Sequence, residues 1–247
     1  MLVLEDDLLD EMIAYDLKSN YDKNLVSQIF NHFQPCITSE WQLENLDFLD
    51  DEILRKLVNT PLINRIEEDL NSFDSLVKES ILKLMLVTSI DKTKKFKQID
   101  ITENKIRNIF SQTYTKKDKK REDIRIHIKD LLADKKDIKI KDKYFLKEWE
   151  KNSKILDEIL PQNGSLEIFV DFNKTNDLNF KLAQEELQKM RELMSIDIKA
   201  YPSSNLHDRY IIAEDLEIVL SSGFSNLANY AKQELTYIVR IKNENLF

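Results

Sequence analysis

Apolar residues recur at helical spacing through the first 90 residues of the chain. Four segments show this spacing: LLDEMIAYDL, NLVSQIFNHF, DDEILRKLVNTP and FDSLVKESILKLMLVTSI. Such a period favours amphipathic helices. The chain holds only 2 Gly and 4 Pro, which favours long helices. Thr38 or Ser39 can cap a further helix that begins near Trp41. Residues 1–90 are therefore predicted to form an all-α bundle.

The pattern changes after a second charged loop at Tyr114–Asp123. Short alternating or apolar runs there are separated by amphipathic segments and predict the strands DIKIKD, SLEIFVDF, DIKAYP, RYIIAED, LEIVLSS and ELTYIVRI. Strands that alternate with helices indicate an α/β layered fold. We expect a mixed sheet flanked by helices over residues 96–247, joined to the helical domain (1–90) by the polar stretch Asp91–Gln98.

Composition limits the class of protein. The 247 residues are 42% hydrophobic and 33% charged, which is typical of a globular chain. No apolar run approaches the roughly 20 residues of a membrane-spanning helix, and the acidic N-terminus differs from a secretion signal. A cytoplasmic location is predicted. The single cysteine, Cys36, excludes a cysteine-based zinc cluster, and three histidines offer little for a metal site. Neither a metal nor another cofactor is expected.

The charge of the chain is unevenly distributed. The net charge is −8, yet residues 91–145 are rich in Lys between two acid-rich segments. A basic stretch of this kind indicates either an anion-binding face or electrostatic contact between segments. The run from Lys116 to Arg121 is either a solvated loop or a contact for a polyanion.

A short motif near the C-terminus carries the candidate chemistry. In NLHDRYIIAEDLEIVLSSGFSNL, His207 and Arg209 lie two positions apart at the start of a predicted strand, so their side chains share a face. The next strand ends at Gly223, where glycine permits a close approach of the backbone to a ligand. Ser225 and Asn226 supply hydrogen-bond donors. A histidine, a fixed cation and small polar donors suit a phosphate group.

These residues resemble the motif of the phospholipase D superfamily. The resemblance aligns His207, Arg209 and Glu214 with its histidine, lysine and aspartate, and Gly223 and Asn226 with its downstream glycine and asparagine. It implies that His207 attacks phosphorus, that Arg209 and Asn226 hold the phosphoryl oxygens, and that a second copy of the motif supplies the acid. Arginine replaces lysine here and glutamate replaces aspartate.

The sequence also resembles the HDR variant of this fold, found in the C-terminal domain of a eukaryotic MIT-domain protein. His207-Asp208-Arg209 matches its triplet, and Asp142-Lys143-Tyr144 matches its earlier aspartate-x-tyrosine. The resemblance implies a homodimer, or a subunit of a larger complex, that binds anionic surfaces without catalysis. Related microbial chains point to mobile or phage-defence loci. The phosphate-binding set predicted on this basis is Asp142, Tyr144, Arg209, Ser222, Gly223, Ser225 and Asn226.

Three functions stay open at this stage. The first is a module that binds a phosphate-rich partner, either nucleic acid or an anionic membrane surface. The second is a dimeric, metal-independent phosphodiesterase that uses His207, and the third is an interaction scaffold with a vestigial site. HIKDLLAD repeats the motif spacing from His127 to Asp134, but it also fits one face of a helix. The helical interpretation of His127 is favoured.

Overall fold

A computed structural model describes residues 2–32, 36–46, 62–66, 70–102, 109–171, 177–201 and 209–241. The chain divides into two compact units, 1–108 and 109–247. The sequence predicts that the second domain begins at residue 96. In the structure, however, the strand at Lys97–Asp100 belongs to the sheet of the first unit. No described helix is both long and apolar enough to cross a membrane.

The first unit contains a five-stranded parallel sheet. Its strands have the order β3-β2-β1-β4-β5. Its described elements are β1 (Leu2–Leu4), α1 (Asp6–Asp16), α2 (Lys23–Ile29), β2 (Cys36–Ser39), α3 (Glu40–Glu44), β3 (Ile63–Ile66), α4 (Phe73–Glu79), β4 (Leu84–Val87) and β5 (Lys97–Asp100).

The prediction of an all-α bundle over residues 1–90 is wrong, because this unit begins with a strand and is built on a sheet. The inner strands β1 and β4 are buried at every position. A strand buried on both faces is a short apolar run without alternation, so periodicity cannot separate it from a piece of helix. The segment predicted as one helix from Phe73 instead leaves α4 at Ser80 and enters β4 after Lys83, whose backbone φ is +51°.

Other helix predictions in this unit agree with the structure. The apolar stripe of α1 is buried through Leu8, Leu9, Met12 and Ile13. Ser39 caps α3 by accepting a hydrogen bond from the Gln42 backbone N–H at 3.3 Å. The helix predicted in DDEILRKLVNTP lies outside the described residues.

The second unit contains a seven-stranded mixed sheet with the order β6-β12-β11-β10-β7-β8-β9. The pairs β7–β8 and β8–β9 are parallel, and the other pairs are antiparallel. Its described elements are β6 (Ile109–Tyr114), α5 (Glu122–Leu132), β7 (Asp137–Lys141), α6 (Trp149–Ile159), β8 (Asn163–Asp171), α7 (Asp177–Met190), β9 (Leu193–Tyr201), β10 (Arg209–Ala213), β11 (Leu216–Leu220) and β12 (Leu235–Ile241), with 3-10 turns at Phe145–Glu148 and Phe224–Leu227.

Burial alternates along every central strand of this sheet. In β11 the buried residues are Leu216, Ile218 and Leu220, and the residues between them are half-buried. The neighbouring strands repeat the pattern in register. One face of the sheet therefore forms the core with α5, α6 and α7. The other face, called the open face below, is only half-buried, as in sheets that are covered on one side.

Candidate functional site

Three strand ends meet at one edge of the second sheet. Asp142 follows β7, Arg209 begins β10, and Ser222 follows β11. The antiparallel register pairs Tyr210 with Lys141, so the next position places Arg209 opposite Asp142. The residues that gather here are named the strand-end cluster and comprise Asp142, Tyr144, Arg209, Ser222, Gly223, Ser225 and Asn226. His207, the first residue of the motif, lies outside the described residues.

Asp142 organises this cluster from within. Its carboxylate is 2% exposed and accepts two backbone hydrogen bonds, from Tyr144 N–H at 2.9 Å and from Phe224 N–H at 2.8 Å. One carboxylate thereby fixes the turn after β7 and the turn after β11. Arg209 Nε lies 3.9 Å from Asp142 Oδ1. Because a buried carboxylate repels an anion, Asp142 is a positioning residue in this geometry, and the cation beside it is the group that can face a ligand.

Arg209 differs from the other largely buried arginines. Arg121 donates to the backbone carbonyls of Asn226 and Gln233. Arg191 donates to the side chain and the backbone of Asp157. The Arg209 side chain is only 22% exposed and has the single long contact with Asp142, and within the described part of the chain it donates no hydrogen bond. No described residue therefore accepts a hydrogen bond from its guanidinium, whereas buried polar groups ordinarily use their donors.

Small polar groups surround Gly223. A methyl group added at Gly223 would lie 3.7 Å from Asp142 Oδ2 and 3.8 Å from both Asn226 Nδ2 and Ser225 Oγ. The backbone of Gly223 has φ −56°, which other residues also adopt, so a tight turn does not require glycine here. What glycine provides is space among polar atoms. The Ser222 hydroxyl is buried and has no hydrogen-bond partner among the described residues.

Two buried arginines anchor the loop that carries Asn226. Arg121 is fully buried, and its backbone N–H donates a hydrogen bond to Asn229 Oδ1 at 2.7 Å. Arg125 donates to the Leu227 carbonyl at 2.9 Å and pairs with Glu158 at 2.6 Å. Sequence reasoning assigned Arg121 to the exposed basic run and did not single out Arg125. The position of Arg121 could have indicated its burial, because it directly precedes α5 whereas the lysines before it are exposed.

The structure does not bring Glu214 to the cluster. Glu214 lies in the turn between β10 and β11 and accepts a hydrogen bond from the Lys136 backbone N–H at 3.0 Å. Five residues of strand separate it from Arg209, which corresponds to about 16 Å. Glu214 therefore caps a turn at the opposite end of the strand.

His127 lies in the core, as its helical interpretation predicts. It is fully buried on α5, and its Nδ1 forms a 3.0 Å hydrogen bond with the Tyr237 hydroxyl. Phe110 packs edge-on against the imidazole. Burial raises the pKa of Tyr237 well above its ordinary value, so this hydroxyl keeps its proton. The interaction is structural, and it supplies no second histidine to the strand-end cluster.

The first unit has a cavity of a different character. It encloses about 280 Å³ beyond the carboxyl ends of β1 and β4, where the strand order reverses and where α/β sheets commonly place ligands. Its lining includes Glu5, Asp6, Asp7 and Asp91 against Lys94. Burial raises the pKa of Asp6, although the Gln42 amide donates a hydrogen bond to it. This negative lining is unsuited to phosphate, and sequence reasoning did not identify the cavity.

Neither place holds a metal-binding cluster among the residues that the structure describes. Across the described ranges no three His, Cys, Asp or Glu side chains are arranged to hold a metal ion. The strand-end cluster combines Arg209 and small polar side chains with the buried carboxylate of Asp142.

Comparison with known proteins gives no family. No family model matches the chain, and no curated protein matches it. Among solved structures, the archaeal chromatin protein TrmBL2, described as showing a novel mode of DNA binding, is similar over 55% of this chain with 9% sequence identity and a TM-score of 0.31. The chain spans 46% of that protein's length. A similarity this low supports no conclusion about fold or function.

Proposed function

We propose that the second unit binds a phosphate group of a nucleic acid at the strand-end cluster. The observation that carries the proposal is Arg209. This arginine is largely buried, and within the described residues it uses none of its donors in a hydrogen bond. A planar guanidinium with free donors matches the oxygens of a phosphate.

The surroundings of Arg209 support an anionic ligand. Gly223 leaves space beside Ser225 and Asn226, both of which can donate hydrogen bonds. The Ser222 hydroxyl adds a further unused donor. Asp142 is the one acid in the cluster, and backbone N–H groups already occupy both of its oxygens. Both carboxylate oxygens of Asp142 thus already accept a hydrogen bond within the chain, whereas Arg209 Nε and the Ser222 hydroxyl have donors that no described residue accepts.

Binding without cleavage fits the described residues better than catalysis does. A phosphodiesterase of the type that the motif implies needs a second acid or histidine near the phosphorus. Glu214 lies at the far end of β10, and His127 is buried against Tyr237. Neither residue can therefore act on a phosphate that Arg209 holds. The proposal therefore assigns Arg209 to phosphate recognition and requires no bond cleavage.

The test is an equilibrium binding titration with the full chain in EDTA. Fluorescent single-stranded DNA, duplex DNA and RNA are titrated with the wild type and with Arg209→Ala. Loss of a buried charge-assisted contact should weaken binding of every nucleic acid about 10-fold. The slope of log affinity against log salt for single strands should also fall by about 0.7.

The control variant is Lys154→Ala, which removes an exposed cation that pairs with Glu150 on α6. It should leave every titration unchanged. Wild-type affinity in Arg209→Ala would refute the proposal, and so would binding to anionic vesicles but not to nucleic acid. Cleavage in EDTA that disappears in His207→Ala would replace it with a phosphodiesterase.

A further inference from the structure

The open face of the second sheet carries a row of lysine and aromatic side chains. The strand register places Tyr210, Lys141, Phe169 and Lys199 side by side across β10, β7, β8 and β9. Tyr201 follows Lys199 at the end of β9 and is 42% exposed. These five residues are named the aromatic row. They lie on the face opposite to the one that packs against α5, α6 and α7.

The rings of the row contact one another and the neighbouring lysines. Phe169 and Tyr201 pack edge to face, with their ring centroids 5.4 Å apart. Lys141 Nζ and Lys199 Nζ lie 6.0 Å and 5.8 Å from the Phe169 centroid, at the outer limit of a cation–π contact. The lysines therefore flank the ring from the two adjacent strands, and the row offers both apolar ring surface and positive charge.

Positive charge is concentrated at this end of the sheet. Lys199 forms ion pairs with Glu167 and Asp197. Lys141 and Lys143 form no ion pair with any described residue, and Lys143 Nζ lies 5.0 Å from the Tyr144 ring centroid. The acids of this edge, Asp142 and Asp171, are buried. Lys141 and Lys143 thus leave positive charge beside the aromatic row that no described acid neutralises, and this charge is complementary to a phosphate backbone.

We propose that the aromatic row is a stacking platform for single-stranded nucleic acid. A sheet face with exposed rings can stack unpaired bases, while flanking lysines contact the phosphates between them. A duplex keeps its bases stacked inside and cannot use the rings in this way. The platform and the strand-end cluster lie on different faces of one sheet. Substitutions can therefore test the two proposals separately.

The test compares two probes on the full chain in EDTA. One probe is a DNA single strand of about 12 nucleotides, within the site sizes of single-strand-binding folds. The other is an abasic strand of equal length, which keeps the phosphates and lacks the bases. Tyr201→Ala should weaken binding of the base-bearing strand about 10-fold and leave the abasic strand unchanged. Tyr201→Phe keeps the ring and should restore binding.

Tyr230→Ala is the matched control, because Tyr230 is an exposed tyrosine (72%) outside the row. It should bind both probes like the wild type. The platform is refuted if Tyr201→Ala binds both probes like the wild type, or if the wild type does not distinguish them. If Arg209→Ala loses binding of both probes while Tyr201→Ala binds both like the wild type, the phosphate site is retained and the platform is rejected. If Tyr201→Ala loses binding of the base-bearing strand only, and Arg209→Ala binds both probes like the wild type, the platform is retained and the phosphate site is rejected.

Discussion

The two glycines of this chain have opposite roles at the residue scale. Gly164 has φ +120°, and a methyl group there would lie 2.4 Å from the Lys136 carbonyl oxygen. Gly223 has an ordinary φ and meets no atom closer than 3.7 Å. The first glycine is therefore required by backbone geometry at the start of β8. The second leaves open the space into which a ligand would enter.

This contrast gives a paired prediction. Gly164→Ala should lower the free energy of unfolding by about 1–3 kcal/mol, because the backbone conformation and the close carbonyl both oppose a side chain. Gly223→Ala should change stability by less than about 0.5 kcal/mol but weaken nucleic-acid binding, since its methyl group fills the space beside Asn226. Urea unfolding and the binding titration measure the two effects. Equal loss of stability in both variants would contradict this assignment of roles.

Residue types alone could suggest the strand-end cluster but not the role of each member. The spacing of Arg209, Gly223 and Asn226 indicated a phosphate site, and the register of β10 with β11 brings these positions to one edge. That Asp142 accepts two backbone N–H groups depends on contacts with Phe224, 82 positions away. The burial of Arg121 has the same origin, since the carbonyls that accept its two shortest side-chain hydrogen bonds belong to Asn226 and Gln233. Long-range contacts of this kind leave no local signal in the sequence.

At the element scale, the second sheet was predictable because it is covered on one face. Its strands alternate between buried and half-buried residues, and alternation is the clearest strand signal in a sequence. The first sheet was missed because β1, β2 and β4 are buried throughout and only three or four residues long. Flanked by amphipathic helices, such short apolar runs look like helix turns.

Cys36 offers a chemical test of the parallel sheet. It lies in β2 between β1 and β3, is fully buried, and burial raises the pKa of its thiol to about 12. Only the thiolate reacts with alkylating reagents. The native chain should therefore resist iodoacetamide at mildly alkaline pH and become labelled on unfolding in urea. Mass spectrometry measures the labelled fraction, and rapid labelling of the native chain would contradict the buried position of β2.

At the scale of the whole molecule, the two units offer different surfaces to ligands. The lining of the cavity in the first unit carries four acids and one lysine, whereas the cluster of the second unit centres on Arg209 beside the buried Asp142. The net charge of −8 therefore does not describe either site. If the proposed function holds, we expect a polyanion to be attracted to the end of the second sheet, where Lys141, Lys143 and Arg209 lie.

The most direct test of the phosphate site observes the Arg209 guanidinium itself. Nitrogen-15 NMR resolves arginine Nε–H groups, and the Arg209 signal is identified by its disappearance in Arg209→Lys. On titration with a DNA single strand in EDTA, this signal should shift and saturate together with binding. The Nε–H signal of Arg125, whose Nε already donates to Glu158 at 2.6 Å, should stay in place. An Arg209 signal that does not move while binding saturates would contradict the assignment.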